Sequence, residues 1–295
     1  MTVSLRQTFA RERLEHTGSV TARHAVQQFF SRAAMPMPQI QVSKLRKEFG
    51  TGARRMVALD GVDFTVERGS FVSLCGPSGC GKSTLLNLIL GLDRPSSGEV
   101  RINGEVVYAP GRSIGTVFQD ANLMPWRTVL SNVLYPVELR RLPIKQFRER
   151  ANELLELTGM RRFATHYPSE LSGGMRQRVA ICRALILGPD VLLMDEPFSA
   201  LDALTRDEMS IELQRIWSLQ AKTVVFVTHS IREAVFLSDR VVVMGISPGR
   251  ITEEFSIDLD RPRTAQVETI SRFNVLIHEI RESIARGRTG LDHVS

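Results

Sequence analysis

Five residues, FVSLC (71–75), run straight into GPSGCGKST (76–84) and then into LLNLILGL (85–92). A short apolar run bounded by glycine reads as a buried strand, and the Leu/Ile-rich stretch after the loop reads as a helix. The unit is therefore strand, glycine loop, helix. Glycines at 76, 79 and 81 leave a backbone free of Cβ atoms just where a helix begins, and the first N–H groups of a helix have no partner inside it. Such a loop is shaped to wrap an anion. Few chains can carry this unit outside an α/β fold, in which a parallel sheet is covered by helices.

The spacing narrows the anion. Gly76, four residues, then Gly81, Lys82 and Ser83 is the spacing of the P-loop, or Walker A motif, which cradles the phosphates of a nucleotide. Lys82 is predicted to reach the β- and γ-phosphates and the Ser83 hydroxyl to ligate Mg²⁺, with Pro77, Ser78, Gly79, Cys80 and Thr84 completing the loop. A chance glycine-rich turn is the competing reading, and the flanking strand and helix count against it.

Three further strand ends point the same way. VLLMDE (191–196) reads as a buried parallel strand delivering two carboxylates at its C-terminal end, where ligands of open α/β sheets bind. Asp195 is the predicted Mg²⁺ ligand, and Glu196 is placed to orient or deprotonate an attacking water. TVVFVT (223–228) ends at His229, and IGTVF (114–118) ends at Gln119, a neutral side chain able to bond Mg²⁺ or a water. A lone His or Gln after a strand is more often a solvated residue, and position at the phosphate edge is what raises both. In LSGGMRQR (171–178), Ser172 is a favoured N-cap, so Ser172, Gly173 and Gly174 are expected to open a helix with free backbone N–H groups, a second anion socket. On these eight residues alone, a loop before an ordinary surface helix fits as well.

Composition bounds the rest. At 295 residues with 43% hydrophobic and 24% charged residues, the chain is globular rather than disordered. No apolar run approaches the roughly 18–20 residues of a membrane span, and no compact apolar signal-peptide core opens the chain. Three cysteines, Cys75, Cys80 and Cys182, make neither a CxxC pair nor a disulfide framework, which fits a reducing compartment. The net charge of +6 is dispersed among acids, so a solvated surface explains it better than nucleic acid does. Residues 1–37, with five arginines and two glutamates, are expected to be a disordered extension. Met35 or Met37 is an alternative start there, and an arginine-rich targeting peptide is the other reading. Near the C-terminus Val267, Ile270, Phe273, Ile277, Ile280 and Ile284 recur at helical steps, predicting an amphipathic helix packed on the protein's own surface within a tail over 256–295.

Taken in order, the P-loop, Gln119, LSGG, VLLMDE, SALD (199–202) and His229 resemble the ATP-binding cassette (ABC) ATPase family over about residues 39–255, and jointly these motifs are specific. The resemblance implies an α/β fold: a P-loop NTPase core with a RecA-like parallel sheet, an antiparallel β subdomain, and an α-helical subdomain at about 126–188, all within 38–255. It implies a homodimer enclosing two ATP molecules with Mg²⁺, in which Ser172, Gly173 and Gly174 bind the γ-phosphate of the ATP held by the second copy. It places Asp202 at the dimer seam, makes His229 a sensor of the γ-phosphate, and sets Phe49, in RKEFG, against adenine. The family glutamine after the two glycines is Met175 here, and tyrosine is more usual at Phe49. ANLMPWRTVLSNV (121–133) and GISPGRI (245–251) resemble importer ATPases for nitrate, sulfonates and taurine. That likeness implies a transmembrane permease and a periplasmic or extracellular solute-binding protein as partners, and a peripheral position on the cytoplasmic face of a bacterial inner membrane. A nucleic-acid- or ribosome-acting ABC ATPase is the alternative. It would carry two cassettes or a long coiled coil, and neither is present.

Overall fold

The computed structural model describes residues 37–289 except 112, 221 and 247. The extension expected over 1–37 thus lies outside the described residues, Met37 apart.

Strands β3 (Phe71–Cys75), β6 (Ile114–Val117), β7 (Val191–Asp195), β8 (Thr223–Val227), β9 (Arg240–Gly245) and β10 (Arg250–Ser256) form one sheet in the order β10-β9-β3-β8-β7-β6. Every pairing is parallel except the β9–β10 hairpin. The strands are apolar throughout because both faces are covered, and their side chains alternate between two cores. Phe71, Leu192, Met194, Val224 and Phe226 pack into one, while Val72, Leu74, Val191, Leu193, Val225 and Val227 pack into the other.

A second, antiparallel sheet contains β1 (Ile40–Phe49), β2 (Met56–Val66), β4 (Ser97–Ile102) and β5 (Glu105–Val106), ordered β2-β1-β4-β5. Its apolar face, with Ile40, Val42, Leu45, Val62 and Phe64, shares the second core with helix α1 (Lys82–Leu90).

Helices α2 (Val129–Leu139), α3 (Ile144–Leu157) and α4 (Gly173–Leu185) pack on one another around Val133, Val137, Leu154, Leu155, Val179 and Ile181. Thr128 caps α2 by accepting a hydrogen bond from Ser131 N at 3.3 Å. Beyond β7 come α5 (Ala203–Gln220) and α6 (Ile231–Leu237), and the chain's last described helix is α7 (Ser271–Thr289). Helix α7 packs on β9, β10 and α6, burying Phe273, Leu276 and Ile280. Ile270 leaves the expected stripe: it precedes the helix in an extended backbone and is 47% exposed, so helical spacing no longer sets its direction.

Candidate active site

The phosphate-loop sequence sits at the C-terminal end of β3, in the middle of the parallel sheet. Gly79 and Gly81 have φ of 81° and 94°, the left-handed region that glycine enters without strain. Gly76 is required by space: a Cβ there would lie 2.5 Å from the Met244 carbonyl oxygen and 2.8 Å from Cys80 Sγ. Helix α1 starts directly from the loop, with Leu85 N donating to Gly81 O at 2.8 Å. The Lys82 side chain turns back into the loop and donates to Gly76 O at 2.9 Å and Pro77 O at 3.0 Å. Its ammonium is buried among neutral acceptors, these two carbonyls and Cys80 Sγ at 3.8 Å, and so sits where an anion would be held. Ser78, Gly79 and Ser83 are exposed, Thr84 half-buried, and Pro77 and Cys80 buried.

Ser83 Oγ donates to Asp195 Oδ1 at 3.5 Å, bringing the loop and the end of β7 together. Burial pushes the Asp195 carboxyl above the ordinary carboxylate range, and the neighbouring Glu196 charge adds to this, against the Ser83 hydrogen bond and the Lys82 charge. A half-buried acid at an oxygen-lined edge is an incomplete environment for its own charge, and a cation would complete it. The hydroxyl, carboxylate and amide oxygens of Ser83, Asp195 and Gln119 are the hard donors that suit Mg²⁺.

Glu196 adopts φ +43°, a left-handed conformation rare for a residue with a side chain. It is held there by its neighbours: its N–H donates to Val227 O at 2.9 Å, and its carbonyl accepts from Ser199 Oγ at 2.9 Å and Ser199 N at 3.2 Å. The strained turn aims the carboxylate at His229, whose Nδ1 lies 3.0 Å from Glu196 Oε2.

Under this pair lies a network the sequence reading missed. Thr228 Oγ1 donates to Glu233 Oε2 at 2.7 Å, and Arg206 Nε lies 3.5 Å from Glu233 Oε1 while its Nη2 donates to Leu201 O at 2.9 Å. Burial pushes the Glu233 carboxyl up, opposed by the Thr228 hydrogen bond and then by Arg206 and His229. Ser230 accepts from Glu233 N at 3.3 Å, so the S-x-x-E spacing of a helix start was a signal available in the sequence.

Gln119 follows β6 and is exposed. The segment it opens is tied to α4: Gln177 Nε2 donates to Phe118 O at 3.0 Å, and Arg183 donates to Ala121 O at 2.6 Å and Asn122 O at 2.7 Å. Buried Asn132 then holds the next turn, accepting from Met124 N and donating to the carbonyls of Met124, Arg127 and Thr128.

Ser172 is the N-cap of α4, its hydroxyl accepting from Met175 N at 3.3 Å, and it is exposed. Gly173 and Gly174 back onto the SALD turn and the first turn of α5: a Cβ on Gly174 would lie 2.6 Å from Thr205 Cγ2, and one on Gly173 would lie 3.3 Å from Leu201 Cδ2. Asp202 accepts from Thr205 N at 3.0 Å and Thr205 Oγ1 at 2.7 Å, bonds that hold its carboxyl below the ordinary range. Phe49 stands apart in the antiparallel sheet, 39% exposed at the end of β1, with Lys47 Nζ 4.8 Å from its ring centre.

A strand–glycine loop–helix unit with a buried lysine, beside an Asp-Glu strand end and a His strand end, defines the class of P-loop ATPases. The family described as ABC transporter matches residues 59–199. An uncharacterized ABC transporter ATP-binding protein of Methanocaldococcus jannaschii is 50% identical over 225 residues, 76% of this chain and 84% of the relative. An aliphatic sulfonates import ATP-binding protein, SsuB of Bacillus cereus, is 40% identical over 84% of this chain and 96% of its own. A taurine import ATP-binding protein, TauB of Rhizobium johnstonii, is 49% identical over 70% and 79%. Among solved structures, a dimeric ATP-binding cassette in a post-hydrolysis state with ADP and Pi superposes with a TM-score of 0.66 at 36% identity, covering 75% of this chain and all of that one. The chain belongs to the ABC transporter family, as an ATP-binding cassette ATPase.

Proposed function

We propose that this ATPase energises an importer for aliphatic sulfonates, taurine or similar oxyanions such as nitrate, working as a homodimer beneath a separate permease. The observation that carries the catalytic half is the Glu196–His229 pair, 3.0 Å apart at the strand edge that Asp195 shares with the phosphate loop. The transport half is supported by relatives whose names specify sulfonate and taurine import.

Each residue has a task. Lys82 exchanges its loop carbonyls for β- and γ-phosphate oxygens, and backbone N–H groups within 78–84 cradle the rest. Ser83, Gln119 and Asp195 hold Mg²⁺, which when bound neutralises developing phosphate charge. Glu196 accepts a proton as water adds to the γ-phosphorus and the bond to the bridging oxygen breaks, giving ADP and inorganic phosphate. His229 steadies that carboxylate and faces the γ-phosphate, and partly exposed Phe49 offers its ring to adenine. Exposed Ser172, with Gly173 and Gly174, presents a helix N-terminus to the γ-phosphate of the ATP held by a second copy, and Asp202 lies at the seam. Hydrolysis removes the charge that held the two faces together, so the dimer opens.

The permease docks on the helical subdomain. Pro125, Thr165, His166, Tyr167 and Glu170 line an open groove there, and Trp126 beside it is 72% exposed. Large aromatic side chains at a groove rim are the usual anchors of an interface. A solute-binding protein acts from the far side of the membrane, and the cassette sits peripherally on the cytoplasmic face. No described helix is long and apolar enough to cross a membrane.

The test is ATP hydrolysis by the chain alone and with its permease in lipid nanodiscs, with and without sulfonate-loaded binding protein. Stimulation by the loaded partner is expected. Activity indifferent to the permease would overturn the transport reading.

A further inference from the structure

The importer-like stretch GISPGRI has no task in hydrolysis as described, yet it touches the phosphate loop at two places. Met244, the residue before it, places its carbonyl oxygen 2.5 Å from the point a Cβ on Gly76 would occupy. Gly249 is tighter: a Cβ there would lie 2.2 Å from Cys80 O, 2.8 Å from Ala58 O and 3.0 Å from Leu59 Cδ2. Gly249 is also stitched into place, its N–H donating to Ala58 O and its carbonyl accepting from Asp60 N, both at 3.1 Å. The loop residue Gly81 rests on the same two β2 residues, its Cβ position being 2.5 Å from Leu59 Cδ2 and 3.1 Å from Ala58 O. Arg250 pins the far side, its Nη2 donating to Asp60 Oδ2 at 2.7 Å.

A third glycine backs this arrangement. Near the end of α7, a Cβ on Gly287 would lie 3.3 Å from Gly245 Cα, and one on Gly245 would lie 2.8 Å from Thr252 Cγ2. From the last helix to the phosphate loop the order is therefore Gly287, Gly245 with Met244, and Gly76, main chain close against main chain, with only Thr252 Cγ2 and Cys80 Sγ reaching in beside it.

We infer that Gly249, with Gly245 and Gly287, forms a rear wall that positions the phosphate loop, so that the β9–β10 turn and the end of the C-terminal helix set the affinity for nucleoside triphosphate. Main chain packed on main chain is stiff, and interiors at this density pass a displacement on rather than taking it up. A methyl group on Gly249 has to move either Cys80 or the whole turn, because its nearest neighbours are backbone atoms. The inference rests on residues 76–84 being the phosphate loop.

The experiment compares Gly249→Ala and Gly287→Val with wild type and with Gly111→Ala, where the nearest atom, Ser113 Oγ, is 3.7 Å away and a methyl group fits. ATP affinity is read by equilibrium binding, and loop position by the rate at which Cys80 is alkylated, followed by peptide mapping. Gly249→Ala is expected to weaken ATP binding by about 10-fold or more and to speed Cys80 alkylation, since misplacing binding groups by about 1 Å is known to be this costly. Gly287→Val should shift both readouts the same way and less, and it tests the wall without touching the loop's immediate neighbours. Gly111→Ala should leave both unchanged. ATP affinity and Cys80 reactivity at wild-type levels in both wall variants would overturn the inference. A wild-type chain that fails to bind ATP would instead overturn the phosphate-loop reading beneath it.

Discussion

Glu196 Oε2 and His229 Nδ1 lie 3.0 Å apart although 33 residues separate them. Parallel pairing does this: β7 and β8 are neighbours in the sheet, with Asp195 opposite Val227, so both strands release their next residues at the same edge. The strained backbone of Glu196 then turns its carboxylate toward the imidazole.

Glu196→Gln keeps the shape and the hydrogen-bonding capacity but cannot take a proton. ATP hydrolysis should fall roughly 10²- to 10⁴-fold while ATP is still bound, the range for losing a positioned general base. Because His229 bonds to the same carboxylate, Glu196→Gln combined with His229→Ala should cost little more than the worse single change. Steady-state rates and equilibrium binding on the four proteins measure both statements. Normal turnover in Glu196→Gln would remove it from the role.

The nucleotide-free site is set against its own acid. Burial lifts the Asp195 carboxyl, so the folded chain holds that proton to higher pH than the unfolded chain does. The corresponding stability is present at low pH and is lost as pH rises through the folded-state value. Asp195→Asn removes the loss. It should melt a few degrees above wild type at neutral pH in the absence of nucleotide, with the gap closing as pH falls, and it should hydrolyse ATP far more slowly with Mg²⁺ present. Thermal melts across pH check the first half, and an unchanged gap at every pH would contradict it.

Much of this fold was legible in the sequence because its signals are local. FVSLC, VLLMD and TVVFV are short apolar runs with two covered faces, and the glycine loop lies between a strand and a helix next to it in the chain. Contacts made through main chain or across long separations left no such trace. Nothing in the sequence shows Lys82 folded onto Gly76 O, Gln177 donating to Phe118 O 59 residues away, or Gly249 pressed against Cys80 O. The Arg206–Glu233 contact was half visible, since the Ser230-to-Glu233 spacing marks a helix start but not the arginine that meets it.

Gln177 and Arg183 give α4 a direct hold on the residues around Gln119. That hold links the helical subdomain to the strand edge where Mg²⁺ is proposed to bind. Arg183→Ala should bind ATP as wild type does but lose stimulation by the permease about 5-fold or more, the scale of ordinary coupling between sites. Basal and permease-stimulated rates, compared side by side, decide it, and equal loss of both would mean the contact supports folding alone.

Cys80 is fully buried, and burial raises its thiol above the ordinary value against the opposing pull of Lys82. Thiolate is the reactive form, so iodoacetamide should modify the native chain slowly at neutral pH and quickly after unfolding. Once a bulky group is attached it occupies the loop, and ATP binding should be lost. Cys80→Ser should be insensitive, and equal sensitivity of that variant would show the reagent acting elsewhere.

Gly173 and Gly174 back onto Leu201 and Thr205 while Ser172 is exposed, and the helix start they form is proposed to serve the ATP of another copy. The most direct measurement is the mass of Glu196→Gln in solution, with and without ATP, by light scattering after size exclusion. A monomer is expected without nucleotide and a dimer retaining two ATP per pair with it, and a Ser172→Arg change in the same background should keep the chain monomeric while ATP still binds. A chain that holds ATP and stays monomeric without the Ser172 change would contradict it.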